Sequence, residues 1–284
     1  MDLALTVAAV LPAIVLCVYV FRKDKVEKEP ISLLILLFFA GMFSCLPAAF
    51  LETVLTKVLA ILFKPFTMTN AYGEQVMNGF VQHVYNFFEY FFIVALVEEA
   101  LKFLVLYLCT RKEDDFNCLF DGMIYAVFVS LGFATFENIF YVMEYGMQNA
   151  IMRGILSVPA HMFFAVLMGY YYTFWNVECK IVKMEKQLRV DRVFPQNAKY
   201  YIPGKNKRNM LLVPVLAHGL YDFCCTAGTV VSLVVFIAFV AYLYVSCFKK
   251  IRRMSEDDRY VSSCAKGVLI RKHPELEDYI NEHF

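Results

Sequence analysis

Glu98, Glu99 and Lys102 lie in an apolar run over residues 84–108 that predicts a membrane-spanning helix. Each ionisable side chain at the centre of a bilayer costs about 2.5–3.5 kcal/mol on the insertion scale. Three so close together imply either a device that ties helices together or chemistry inside the membrane. Glu98 and Lys102 are i,i+4 neighbours in the favourable order, so a purely structural pair is the bland reading. Three further apolar runs carry polar groups. Residues 119–145 hold Glu137 and Asn138, with Tyr141 one turn beyond Glu137. Residues 155–175 hold His161, and residues 210–226 hold His218 and, one turn on, Asp222. At about 1.5 Å of rise per residue, Glu99, Glu137, His161 and His218 each lie roughly 12–18 Å from a water boundary, in a hydrocarbon core of about 30 Å. Lipid-facing positions are prohibitive for such groups, so they are expected to converge on one interior cavity.

Charge counting sharpens this expectation. Glu98, Glu99, Glu137 and Asp222 against Lys102 leave an excess of three negative charges, with the histidines neutral. A low-dielectric site does not hold that excess, so some carboxylates are protonated or a divalent cation is bound. Two histidines with a glutamate suit Zn²⁺ with an open position for water. The candidate ligands, if a metal is present, are Glu99, Glu137, His161 and His218. The chain has no HExxH pair, so the metal rests on charge and ligand type alone, and no other cofactor is expected.

The elements that must position these residues are helices in a membrane. The chain is 60% hydrophobic and 17% aromatic, with mean hydropathy +0.55, whereas a soluble domain is nearer 45–50% apolar. Apolar runs of about twenty residues favour helices over a barrel. The reading is an all-α, polytopic bundle of about seven spans, over residues 3–21, 31–50, 84–108, 119–145, 155–175, 210–226 and 230–248. Apolar character continues from 51 to 63 but turns amphipathic at Glu52, Thr53, Thr56 and Lys57, which reads as an outer interface. Residues 22–30, 111–117, 179–209 and the C-terminal tail are rich in lysine or arginine, while the other flanks carry only Lys57, Lys64 and Arg153. The positive-inside rule therefore puts the N-terminus out and the C-terminus in. Residues 1–254 read as one transmembrane domain, with residues 255–284 a charged, partly helical cytoplasmic tail. Net charge is +1, and the basic 179–209 stretch needs only the positive-inside rule, so no nucleic-acid partner is expected. The nine cysteines include no CxxC pair and read as small buried hydrophobes.

Glu98-Glu99-Ala100-Leu101-Lys102, Phe136-Glu137-Asn138, His161 and His218-x-x-x-Asp222, in that order on successive helices, resemble the PrsW family of intramembrane proteases. Glu29-Pro30 is similar to that family's early segment, and the resemblance covers residues 24–222. The broader clan includes the type II CAAX prenyl proteases. Lys102 at plus three from Glu99, and Tyr141 where a histidine would stand, depart from that clan and disfavour prenyl-protein substrates. The resemblance implies a multi-pass protein of the bacterial plasma membrane. It would cut single-pass membrane proteins, such as anti-sigma factors, near the outer membrane face, beginning a regulated proteolysis cascade. The expected chemistry is peptide-bond hydrolysis, with Glu98 or Glu99 taking a proton from water, helped by His161 or a metal. His218 would donate to the oxyanion, Asp222 or Tyr141 would orient neighbours, and Lys102 would hold the remaining negative charge. Glu137 and Asn138 would support the site, or form only a helix–helix hydrogen-bonding patch. Two rival readings are an ion-coupled carrier, disfavoured by the lack of an internal repeat, and a catalytically dead scaffold of the same fold.

Overall fold

A computed structural model describes residues 3–70, 72–111, 116–194, 199 and 201–284. Parts of two basic flanks expected on the inner side, residues 112–115, 195–198 and 200, lie outside the described residues. The chain is helical almost throughout. Its helices are α1 (Leu3–Lys23), α2 (Ile31–Phe63), α3 (Gly79–Phe88), α4 (Ala95–Thr110), α5 (Asp121–Ile155), α6 (Ser157–Val190), α7 (Asn206–Thr226), α8 (Val230–Glu256), α9 (Val261–Lys272) and α10 (Glu277–His283). One small antiparallel hairpin, β1 (Thr67–Thr69) with β2 (Gln75–Met77), joins α2 to α3.

The local signals explain most boundaries. Asn78 caps α3 by accepting from Val81 N at 2.9 Å. Thr229 and Ser232 form a reciprocal capping box at the start of α8. Gly228, at φ 64°, makes the turn out of α7. Pro159 falls in the first turn of α6, where no backbone donor is needed. The run over residues 84–108 is not one regular helix. α3 passes through a π-helical turn, Glu89–Val94, into α4, and such turns insert an extra residue and rotate the side chains that follow.

Four stretches are long and apolar enough to cross a membrane: Leu3–Lys23, Ile31–Phe66, Asp121–Val190 and Val230–Glu256. The third contains both α5 and α6, which meet at Leu156. The expected spans over 84–108 and 210–226 fall outside this set. α4 has only 16 residues and carries Glu98, Glu99 and Lys102, and α7 opens on Asn206, Lys207, Arg208 and Asn209. In α4 and α7 the polar residues dilute the apolar character, whereas α5 and α6 carry Glu137, Asn138 and His161 and remain apolar enough to cross.

α5 and α6 form the centre of the bundle. α5 packs most extensively on α6, α2 and α1, and α6 also packs on α7. Residues 121–127 and 158–166 are buried without interruption. α2 crosses α5 at backbone contact. A Cβ at Gly132 would sit 1.9 Å from the Phe38 carbonyl oxygen, and one at Gly41 would sit 2.0 Å from that of Val129. Small residues let membrane helices approach this closely, where dispersion replaces the missing hydrophobic drive. Residues 179–190, within a stretch read from sequence as a basic loop, continue α6 as helix. The last segment docks beside the start of α5 and against α6. Val261 N donates to Asn117 O at 2.7 Å, Leu119 N donates to Arg259 O at 3.0 Å, and Val261, Ala265, Leu269 and Ile280 are buried.

Gly132→Val is expected to destabilise the fold by about 1–3 kcal/mol through overpacking. Thermal unfolding in detergent reads this directly. Gly79→Val, where a Cβ meets nothing within 4 Å, is the matched control and should change little.

Candidate active site

The polar residues of α4, α5, α6 and α7 meet inside the bundle. Glu98, Glu99 and Lys102 share one face of α4, because i+3 and i+4 neighbours stack on a helix. Lys102 Nζ lies 2.9 Å from Glu98 Oε2 and 2.8 Å from Glu99 Oε1. It also lies 3.1 Å from His161 Nδ1 on α6 and 4.2 Å from the centre of the Phe133 ring. His218 on α7 closes the other side, with Nδ1 3.0 Å from Glu99 Oε1 and Nε2 3.3 Å from Asp222 Oδ2. Phe164 stacks on the His218 ring at 4.7 Å, and the two imidazoles cross at 83° with centroids 5.5 Å apart. Glu99 is fully buried, and Glu98, Lys102, His161 and His218 are all at most 6% exposed. Any water admitted here meets fixed charges in a low-dielectric pocket.

Donor and acceptor rules set the His161 tautomer. An ammonium only donates, so His161 Nδ1 accepts from Lys102 and the ring proton sits on Nε2. That nitrogen lies 2.9 Å from Glu137 Oε2. Glu137 is held from its other oxygen by Arg153, with Nη2 at 3.1 Å. Arg153 stands in the outer flank by sequence, yet it belongs to the site. The reason is Gly146, whose φ of 77° breaks α5 and lets residues 147–155 carry the guanidinium to the turn that holds Glu137 and Asn138.

Of two expected supporting residues, Asn138 makes the helix–helix contact that is one of its two sequence readings, and Tyr141 sits away from the histidines. Asn138 accepts from Arg153 Nε at 3.0 Å and donates to Ala9 O at 2.8 Å, so it ties α5 to α1. Tyr141 is 40% exposed and lies under the Arg153 guanidinium at 4.0 Å. Both steady Arg153 and not the histidines. His218 has both ring nitrogens beside carboxylates, so the oxyanion donation expected of it requires one of those contacts to open. Sequence reasoning also missed Glu52. Its half-buried side chain turns inward from α2, its Oε1 is buried without a described partner, and it is close enough to feel the charges of Glu98, Glu137 and Lys102. Its amphipathic surroundings gave no signal for that. Arg153 adds one positive charge and Glu52 one negative, so the excess of three negative charges counted from the sequence persists.

The donor chemistry fits a divalent cation. Glu98, Glu137 and His161 offer ligand atoms within 4.8 Å of one another, and so do Glu98, Glu99 and His218. The expected ligand set, Glu99, Glu137, His161 and His218, is therefore divided into two halves. Glu98, absent from that set, belongs to both. Glu99 Oε2 is buried and has no described partner, and an orphaned buried carboxylate oxygen needs a water, an ion or a reacting group.

Against known proteins, residues 29–246 match the model of the PrsW family intramembrane metalloprotease. The chain belongs to the PrsW family. It is 30% identical over 254 residues to Protease PrsW of Clostridioides difficile (strain 630), covering 86% of this chain and 88% of the relative. It is 31% identical over 224 residues to Protease PrsW of Bacillus subtilis (strain 168), covering 79% and 84%. Protease PrsW of Oceanobacillus iheyensis is 27% identical over 90% of this chain and 98% of its own length. No solved structure shows significant similarity to the chain. Membership of the PrsW family makes the chain a peptidase of the membrane, and the buried carboxylate–histidine cluster lies within the matched region.

Removing one partner of a buried ion pair strands the other charge. Lys102→Met is expected to destabilise the protein by about 3–5 kcal/mol, because Glu98 and Glu99 lose their shared cation. Adding Glu99→Gln to Lys102→Met should recover part of that loss. Detergent unfolding curves of the three proteins check both statements.

Proposed function

We propose that the chain hydrolyses a peptide bond of a single-pass membrane protein, with Glu99 as the general base. The observation that carries this reading is Glu99 Oε2, buried and without a partner among the described residues, on a carboxylate whose other oxygen His218 holds. Lys102 and His218 grip the other oxygen, Oε1, and hold the carboxylate still. Oε2 is then the lone-pair site that takes a proton from water, and Glu98, on the same helix face, is the nearby second carboxylate. Asp222 fixes the His218 ring from its far nitrogen, so His218 positions Glu99. His161 presents Nε2–H toward Glu137 and passes its orientation to the other half of the site. Lys102 balances negative charge as the tetrahedral carbon forms, without reorganisation, because it is already seated among the carboxylates. A divalent ion held by Glu98 with Glu99 and His218, or with Glu137 and His161, would supply Lewis acidity toward the scissile carbonyl.

The topology follows the same reading. We place about seven spans in the bacterial cell membrane with the N-terminus outside, residues 1–254 as the membrane domain and 255–284 on the cytoplasmic side. The basic end of α8, with Lys249, Lys250 and Arg253, borders one cleft together with Arg271 of α9 and the end of α6. One end of the bundle therefore collects positive charge, which supports that end as the inner one. The substrate class, a membrane protein resembling an anti-sigma factor and cut near the outer face, comes from the family resemblance. Lys102 and Tyr141 still set the chain apart from prenyl-protein endopeptidases.

Purified wild type is expected to cleave single-pass membrane reporters, and Glu99→Gln is expected to lose at least about 100-fold in rate, the lower range for a positioned general base. Thermal unfolding should show both proteins folded. Loss of wild-type cleavage with a strong chelator, restored by Zn²⁺, identifies the metal-dependent form of the mechanism. If Glu99→Gln and Glu98→Gln both cleave at the wild-type rate, the glutamate mechanism is wrong.

A further inference from the structure

A large cleft lies apart from the carboxylate–histidine site. It encloses about 1620 Å³ and is walled by α6, α7, α8 and α9. Its deep part is apolar, with Leu167, Leu216 and Phe239 among its lining. Its mouth is basic, with Lys249, Lys250 and Arg253 on the last turns of α8 and Arg259 and Arg271 beyond them. α8 rises about 15 Å between Phe239 and Lys249, which is half of a hydrocarbon core of about 30 Å. The apolar wall is thus one leaflet deep, and the cations stand at headgroup level.

The charges at the mouth are not spent on one another. Glu178 Oε1 accepts from Gly204 N at 3.0 Å and Asn206 Nδ2 at 2.8 Å. Glu256 pairs with Arg252, which lies outside the lining, at 2.8 Å. Asp258 Oδ1 accepts from Phe120 N at 3.0 Å. Five lining cations stand against four lining carboxylates, of which Glu256 is already neutralised by Arg252, and among the described residues no lining cation pairs with a lining carboxylate. Lys250 is half-buried, with Nζ 3.8 Å from the centre of the Tyr170 ring. That contact holds its ammonium over the cleft instead of letting it extend into solvent.

We propose that this cleft is a binding site for an anionic phospholipid of the adjoining leaflet. The phosphate rests on Lys249, Lys250 and Arg253, and an acyl chain runs along α7 and α8 past Leu216 and Phe239. A positive flank alone needs only the general bias of membrane proteins. The apolar, leaflet-deep cleft beneath these cations is what selects a lipid that is both charged and chain-bearing. The site is independent of the hydrolytic residues, so its test reads binding alone.

The test is native mass spectrometry of the full-length protein in mild detergent. Palmitoyl-oleoyl phosphatidylglycerol and phosphatidylcholine would be added in equal amounts. Wild type is expected to retain phosphatidylglycerol preferentially. Lys250→Gln/Arg253→Gln should weaken that adduct by about 25-fold, at about fivefold per charge removed. Lys266→Gln, on α9 but outside the lining, should leave it unchanged. Gly267→Trp fills the cleft from α9, where a Cβ meets nothing within 4 Å, and should remove the adduct with the charge intact. Excess glycerol 3-phosphate should not displace the lipid. Equal retention of the two lipids overturns the proposal, and leaves the cleft to another occupant such as a substrate helix. Displacement by glycerol phosphate, or an equal loss in Lys266→Gln, overturns it too, in favour of a free phosphate site or plain surface attraction. Should the double variant fail to fold by circular dichroism, the wild-type lipid comparison and Gly267→Trp still decide.

Discussion

Lys102 Nζ stands between two carboxylates and an imidazole nitrogen, all within 3.1 Å, deep among apolar helices. Coulomb attraction at low dielectric is strong, but so is the cost of stripping water from each charge. The pairing is tolerable only because every contact is short and several partners come from one rigid helix face. If Lys102 moved, Glu98 and Glu99 would be uncompensated, and α4 could not stay inside the bundle. The helix packing and the site chemistry therefore rest on the same ammonium.

The framework around it is built to hold that geometry. α5 and α6 present nearly unbroken buried surfaces, and Gly41 and Gly132 bring α2 against α5 at backbone distance. The π-helical turn Glu89–Val94 runs directly into α4, upstream of Glu98. A second polar layer lies outward: Arg153 joins Glu137 and Asn138, and Asn138 anchors to the Ala9 carbonyl of α1. α1, a plain apolar helix by composition, thus supports the polar layer through one backbone oxygen. The basic cleft at the other end of α7 and α8 shares helices with the site, so a lipid bound there would touch the helix that carries His218.

Much of the site was legible because charge inside an apolar run is self-announcing. Glu98, Glu99, Lys102, His161 and His218 interrupt stretches that otherwise read as membrane spans, and energetics require them to find one another. Glu52 and Arg153 were not legible. Each sits where a helix leaves the expected apolar run, a place where polar residues are ordinary and carry no signal. Asn138 and Tyr141 were found, yet their partners were not, since spacing along α5 does not reveal that Gly146 folds the chain back toward them.

The sequence by itself determined that this is an all-helical membrane protein with buried acids, a lysine and two histidines on successive helices. Hydrophobic content and desolvation cost are properties of residues, so they can be counted before any fold is known. Only the tertiary structure decided that Glu98 is shared between two ligand groups, that His218 grips Glu99 and Asp222 at once, and that Arg153 completes the layer. Apart from the i,i+4 contact of His218 with Asp222, those are contacts between groups on different helices or on either side of the break at Gly146. They follow from how close two backbones approach and where one glycine bends, and no side-chain pattern along the chain encodes either.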